Sequence, residues 1–233
     1  MRISELFGPV RQGEGVLLGE AMPFVRVAGC NLSCSWCDSS YTWKPGYAYT
    51  DMTPATIMDA LEAVLTGCRW VSVTGGEPTL YASDLDKLVH LLGQRRLNVI
   101  VETNGLRANL SALYRANVFV SCSPKLPGSG QDTPLRRRKV AAFVASRFNV
   151  PTDTQYKFVI ASEADLKELP RYCADVGIAL EGLEPYVYVQ PDGYLPLDRY
   201  LEMLGWLQEY APRGVRVTPQ VHRLVHGRDA RGV

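Results

Sequence analysis

The stretch PFVRVAGCNLSCSWC, residues 23–37, reads as a strand that runs straight into a loop carrying three cysteines. Residues 23–29 are apolar except for Arg26 and end in glycine, which suits a short strand buried in a sheet. Chemistry-bearing side chains begin where the strand ends. The same punctuation recurs along the chain. RWVSVTG (69–75) is followed by Gly76-Glu77-Pro78. LNVIVETNG (97–105) closes on Glu102-Thr103-Asn104-Gly105. NVFVSCS (117–123) leads into Lys125, and PYVYVQ (185–190) ends at Gln190. TQYKFVIA (154–161) and GVRVTPQ (214–220) read as two further strands.

Helical periodicity fills the intervals. TPATIMDALEAVL (53–65) has a capping Thr53, Pro54 in its first turn, and an apolar face of Ile57, Met58, Leu61, Val64 and Leu65. Further helices are predicted over 83–96, 108–116 (short), 133–148, 162–177 with a kink at Pro170, and 195–210. Strands alternating with helices predict parallel pairing through right-handed crossovers. Six or seven strands are too few for a closed eight-stranded barrel. The expected fold is therefore α/β, a partial TIM-type barrel of parallel strands, in preference to a doubly wound sheet. Either fold gathers its chemistry at the carboxyl ends of the strands. No linker or low-complexity segment interrupts the pattern, so one domain over residues 1–233 is expected.

Composition narrows the function classes. The chain has 233 residues, is 46% hydrophobic and 21% charged, and carries a net charge of +1. That length can bury a full core, and the charge balance gives no footprint for nucleic acid or a membrane surface. No apolar run approaches the roughly 18–20 residues that span a bilayer. The opening MRISELFGPVRQGEG lacks the apolar core of a signal peptide, so a cytoplasmic location is expected. The basic run Arg136-Arg137-Arg138-Lys139 spreads around a helical turn and reads as a solvated face.

Six cysteines in such a chain do not suggest a disulfide framework. Cys68, Cys122 and Cys173 are scattered and read as packed thiols. Cys30, Cys34 and Cys37 are an incomplete set for structural zinc, which takes four protein ligands, usually as two pairs. There is no second C-x-x-C pair, so zinc would have to recruit a distant cysteine or one of His90, His222 and His226. A [4Fe–4S] cluster suits the spacing better, because each thiolate binds its own iron and one iron stays open for a small molecule.

C-x3-C-x2-C with Trp36 before the last cysteine, and GGEP at 75–78, resemble the radical S-adenosylmethionine (SAM) motifs. The flanks sharpen the likeness. FGPVRQGEG (7–15), FVRVAGCNLSCSWCDSSYTW (24–43), VTGGEP (73–78), ETNG (102–105), SPK (123–125) and PQVHRLVHGRDARGV (219–233) together resemble the 7-carboxy-7-deazaguanine synthase family along essentially the whole chain. The resemblance implies a carbon–nitrogen lyase that turns 6-carboxy-5,6,7,8-tetrahydropterin into 7-carboxy-7-deazaguanine with loss of ammonia, on the route to queuosine in tRNA. It implies a [4Fe–4S] cluster, SAM and Mg2+ as cofactors. A 5′-deoxyadenosyl radical would take the C6 hydrogen, the ring would contract, and SAM would be regenerated. A homodimer and a reductant such as flavodoxin or ferredoxin follow as partners, with no direct contact to nucleic acid or membrane.

Residue by residue, the resemblance assigns Cys30, Cys34 and Cys37 to the cluster. Gln12, Glu14, Arg26, Thr74 and His222 are assigned to the pterin. Arg26 suits a substrate carboxylate through its bidentate fork, and an unpaired charge in an apolar strand would be costly. SAM is expected against Trp36, the turn Gly75-Gly76-Glu77, the segment Glu102-Thr103-Asn104, Ser123, Lys125 and Gln190. The two glycines are expected to let backbone approach the ligand. Ser39 stands where the family has a threonine that ligates Mg2+. It keeps the hydroxyl, and Ser40 is a competitor. In some relatives the C-terminal carboxylate touches substrate; here the tail runs past His222, so that contact is not assigned to Val233. Two other readings share part of the pattern. A glycyl-radical activase accounts for the cysteines but not for QGEG, Arg26 and His222 together. A zinc-stabilised binding module would be colourless and hold zinc.

Overall fold

A computed structural model describes residues 1–147, 154–181, 186–227 and 231–232. The expected helix end at 148, the first residue of the strand expected over 185–190, and Val233 lie outside the described residues. Among the described residues nine strands form one sheet: β1 (Arg2–Arg11), β2 (Ala21–Val27), β3 (Thr50–Asp51), β4 (Trp70–Gly75), β5 (Asn98–Thr103), β6 (Val118–Cys122), β7 (Thr154–Ile160), β8 (Tyr186–Pro191) and β9 (Arg216–Val217). The spatial order is β3-β1-β2-β4-β5-β6-β7-β8-β9. Every pair from β2 to β9 is parallel. β1 is antiparallel to both of its neighbours. The sheet has two edges, β3 and β9, and does not close, as expected of a partial barrel.

The helices are α1 (Pro54–Glu62), α2 (Ala82–Gln94), α3 (Pro134–Ser146), α4 (Glu163–Val176), α5 (Leu197–Tyr210) and α6 (Val221–His226). The starts of α1, α3 and α4 follow capping chemistry. Thr53 accepts from the Thr56 N–H at 3.1 Å, and Thr133 accepts from that of Arg136 at 3.2 Å. Ser162 caps α4, which ends at Gly177 in the left-handed conformation, φ 81°. Pro170 sits inside α4 without ending it. The helix expected over 108–116 is only a 3-10 turn, Ser111–Tyr114.

Alternation along each strand sorts the sheet into two faces. One carries Val25, Val27, Val71, Val73, Val99, Val101, Val187 and Val189 in the main core, which also takes Ile57, Leu61, Leu85, Leu88, Leu92 and Leu169 from the helices. The other is apolar at the amino-terminal end, where Met22, Phe24 and Ile100 pack together. Two residues on, the same face turns polar. Arg26 pairs in register with Thr74, Glu102 with Ser121, Ser121 with Gln155, and Val159 with Gln190. The inner face therefore changes from packing to chemistry as each strand ends. Among the described residues no helix is long and apolar enough to cross a membrane.

Candidate active site

All the residues assigned to the cluster, SAM and the pterin, together with Ser39, line one cavity of about 190 Å3 at the carboxyl ends of the strands. At its floor is Glu14, brought in by the turn that follows β1. Its carboxylate pairs with Lys157 of β7 and also accepts from the amides of Gln190 (3.2 Å) and Gln220 (2.8 Å). Burial opposes the charge on Glu14, but Lys157, with His222 and the Gln220 amide, outweighs it and holds the carboxyl below its ordinary range. The same balance holds the Lys157 ammonium above its ordinary value. Glu14 and Lys157 therefore stay a charged pair although both are buried. Gly13 is needed beside them: a Cβ there would lie 2.5 Å from Nδ1 of His222, which sits at the start of α6. The Val221 N–H donates to the Gly13 carbonyl at 3.0 Å, so the carboxyl-terminal helix is pinned to the Gln12–Glu14 turn.

Beside this pair, Glu102 accepts from the side chains of Gln12 (3.1 Å) and Thr74 (2.8 Å). Its carboxylate is thus joined to two residues assigned to the pterin, not to SAM. Arg26 is not an unpaired charge. Its Nε lies 3.0 Å from Glu5 on β1, its guanidinium carbon lies 5.6 Å from the centroid of the Phe7 ring, and Glu5 also accepts from the Tyr41 hydroxyl at 2.9 Å. β1, which the apolar periodicity does not predict, supplies the counter-ion. Arg137 likewise departs from the solvated reading, since it bridges Asp132, Glu168 and Asp175 across α3 and α4.

The turn after β4 is also packed closely against the chain itself. A Cβ on Gly75 would lie 2.3 Å from the Val27 carbonyl oxygen, and one on Gly76 would lie 2.0 Å from that of Gly29. The close approach these glycines permit is to the chain's own backbone at the mouth of the cysteine loop. The N–H groups of Gly76 and Glu77 donate to the carbonyls of Val27 (3.0 Å) and Gly29 (2.9 Å). The Glu77 side chain is spent as well. Oε1 accepts from the Thr79 N–H, the Thr79 hydroxyl and the Thr103 hydroxyl, at 3.1, 2.6 and 2.7 Å. Oε2 accepts from the Asn104 N–H at 2.8 Å. Glu77 thus ties the β4 turn to the end of β5.

The cysteine loop rests on residues 128–131, where the Ser35 N–H and hydroxyl donate to the carbonyls of Ser129 and Gly128. Burial pushes the Cys30 thiol up to about 12 and raises Cys34, so metal binding there releases protons. Three features fit a [4Fe–4S] cluster. Donors already face sulfur: the Leu32 N–H reaches Cys30 Sγ at 3.4 Å, and the Trp43 indole N–H reaches Cys37 Sγ at 3.2 Å. Cationic Lys125 lies close enough to favour the thiolates of Cys30 and Cys34. A single zinc ion would draw three sulfurs to within about 3.8 Å of one another, whereas a cubane binds each at a different iron. Among the described residues no three Cys, His, Asp or Glu side chains converge on one point as a single ion needs. For SAM, the cavity wall offers the buried indole N–H of Trp36, which has no partner among the described residues. The Lys125 ammonium sits 5.1 Å from that ring's centroid and donates to Ser123 at 2.8 Å. Ser39 lines the cavity with its hydroxyl 3.8 Å from Cys37 Sγ. Ser40 is buried in the 3-10 turn Ser40–Thr42.

Comparison with known proteins agrees with this geometry. The Radical SAM superfamily model matches residues 24–127. A 7-carboxy-7-deazaguanine synthase from Pyrobaculum aerophilum is 32% identical over 100% of this chain and 97% of its own. Another from Chlorobaculum tepidum is 33% identical over the same shares. The crystal structure of QueE from Escherichia coli superposes with a TM-score of 0.67, covering 95% of this chain and 94% of that one at 22% identity, which speaks to fold.

Proposed function

The chain belongs to the 7-carboxy-7-deazaguanine synthase family within the radical SAM enzymes, and from that premise we propose that it converts 6-carboxy-5,6,7,8-tetrahydropterin to 7-carboxy-7-deazaguanine and ammonia. The observation that carries the reading is the shared cavity: the cysteine loop opens onto the same chamber as Gln12, Glu14, Arg26 and His222. Cys30, Cys34 and Cys37 would hold the [4Fe–4S] cluster, and Trp36, the Gly75–Glu77 turn, Thr103, Asn104, Ser123 and Lys125 would hold SAM. Together these groups supply radical hydrogen abstraction when bound.

The chain's own residues do the rest. Glu14 is kept ionised by Lys157 and presents an acceptor to the N–H edge of a pterin. Glu102 orients Gln12 and Thr74 toward the same ligand. Arg26 offers the guanidinium edge not taken by Glu5 to the substrate carboxylate, and Tyr41 shares the load on Glu5. His222 closes the chamber over Gly13. Gln190 donates to Glu14, which supports a place beside the pterin rather than beside adenine. The same reading includes a single domain over residues 1–233, a homodimer, a cytoplasmic location and a one-electron reductant such as flavodoxin or ferredoxin.

The direct test is anaerobic reconstitution followed by incubation with the carboxytetrahydropterin, SAM, reductant and Mg2+. One deazaguanine and one ammonia per turnover are expected. A protein with four irons and four sulfides that forms no product would overturn the proposal. Mg2+ belongs to the proposal through Ser39, whose hydroxyl reaches the cavity; a hard ion holding mostly water needs few protein ligands. Ser39→Ala is expected to raise the Mg2+ concentration for half-maximal activity roughly tenfold, about 1.4 kcal/mol. An unchanged Mg2+ response removes Ser39 as a ligand.

A further inference from the structure

The Trp43 indole N–H points at Cys37 Sγ from 3.2 Å. Trp43 is six residues beyond Cys37, and the intervening chain is folded back to bring it there. The Ser40–Thr42 turn places the Trp43 N–H on the Ser40 carbonyl at 3.2 Å, and the Thr42 hydroxyl donates to the Ser39 carbonyl at 2.8 Å. The Thr42 carbonyl in turn accepts from the Gly29 N–H at 2.8 Å, which fixes the turn to the residue preceding Cys30. Both ends of the loop are thereby held, which fixes the Trp43 backbone beside the sulfur.

We propose that Trp43 is a positioning residue that sets the reduction potential of the cluster through this N–H···S bond. This rests on the cluster assignment made above. Hydrogen bonds to cluster sulfurs are one of the protein's controls over potential. Reduction adds an electron to the cluster and raises the negative charge on its thiolates. A fixed donor on Cys37 therefore stabilises the reduced form more than the oxidised form and raises the potential. Indole is suited to the task because it donates only. Among the described residues Ser39 is the other side-chain donor near this sulfur, at 3.8 Å, and a hydroxyl turned toward Mg2+ no longer faces Cys37. Trp43 is the donor that remains in that state.

The test uses the reconstituted holoenzyme and needs no pterin. Trp43→Phe keeps an aromatic ring and loses the donor. Its midpoint potential, read by titration of the reduced cluster's EPR signal, is expected to move negative. At a fixed donor potential the ratio of reduced to oxidised cluster should fall severalfold, a tenfold fall being about 59 mV for one electron. An unchanged potential with full iron content overturns the proposal. If the variant loads poorly, pulsed EPR on the wild-type enzyme with 15N-indole tryptophan decides the matter. A 15N coupling to the reduced cluster supports the bond, and its absence refutes it. Failure of deazaguanine synthesis leaves both measurements intact, so the two proposals fail separately.

Discussion

Lys157→Met is expected to lower the melting temperature by on the order of 10 °C and to abolish most product formation. The physical reason is the state in which it leaves Glu14. In the native protein that carboxylate is buried against Lys157 and two glutamine amides. Removing one partner of a buried ion pair costs about 3–5 kcal/mol, because the remaining charge keeps its desolvation penalty without its compensation. For a chain of this length each kcal/mol is about 2–4 °C. The double variant Glu14→Gln, Lys157→Met removes both charges and is expected to recover most of the stability but not the activity. The pH dependence separates the two groups. Glu14 is held below its ordinary value, so its contribution is present above about pH 4.5 and is lost as pH falls through the depressed native value. Lys157 is held above its ordinary value, so its contribution is complete below about pH 10.5 and is lost as pH rises through the raised value. In Lys157→Met the acid limb of a stability–pH curve should move upward, because Glu14 without its cation protonates more readily. A variant that melts with wild-type stability and an unmoved acid limb would show that the pair carries no net weight.

Lys157 shows where reading the sequence stopped short. Arg26 drew notice as a lone cation in an apolar strand, and TQYKFVIA contains the same signal in Lys157. The family motifs pointed to the first and not to the second. What neither the motif nor the period supplies is the partner, because Glu14 and Lys157 are 143 residues apart and meet only through the crossovers. The parallel strands were legible because valine-rich runs ending in glycine and polar residues leave little alternative. β1 was not. Its residues are mostly half-buried, its register shifts between Phe7 and Val10, and Gly8-Pro9 interrupts the apolar pattern at that point. Missing it hid Glu5, and so made Arg26 look unpaired. The GGEP turn marks a place where glycine is required, and the structure adds a reason beside room for a ligand: a Cβ there would meet atoms of Val27 and Gly29. A sequence marks where backbone must come close but does not say to what.

The Glu77 side chain follows the same logic, and Glu77→Gln is expected to damage cluster loading through the scaffold rather than through loss of a ligand. Four donors converge on this carboxylate, three on one oxygen and one on the other. A glutamine of the same shape must turn an NH2 group toward one set or the other. Whichever way it lies, at least one N–H or O–H loses its acceptor at a site that is 1% exposed. Losing a buried hydrogen bond to a charged group costs about 1.5–3 kcal/mol, and the opposed donors add to that. A fall in melting temperature of about 5–10 °C is expected at 2–4 °C per kcal/mol. The effect should not stay local. Thr103 and Asn104 are held at the end of β5 by this carboxylate, and Asn104 donates in turn to the Asn31 side chain inside the cysteine loop at 2.7 Å. The Glu77 N–H holds Gly29, the residue before Cys30. Loosening the turn therefore loosens two supports of the loop, and iron bound per chain after reconstitution should fall to less than half. Glu77→Asp keeps the charge but shortens the reach, and should lie between the two. If Glu77→Gln loads iron fully and melts like the wild type, the carboxylate is not the brace between β4, β5 and the cysteine loop.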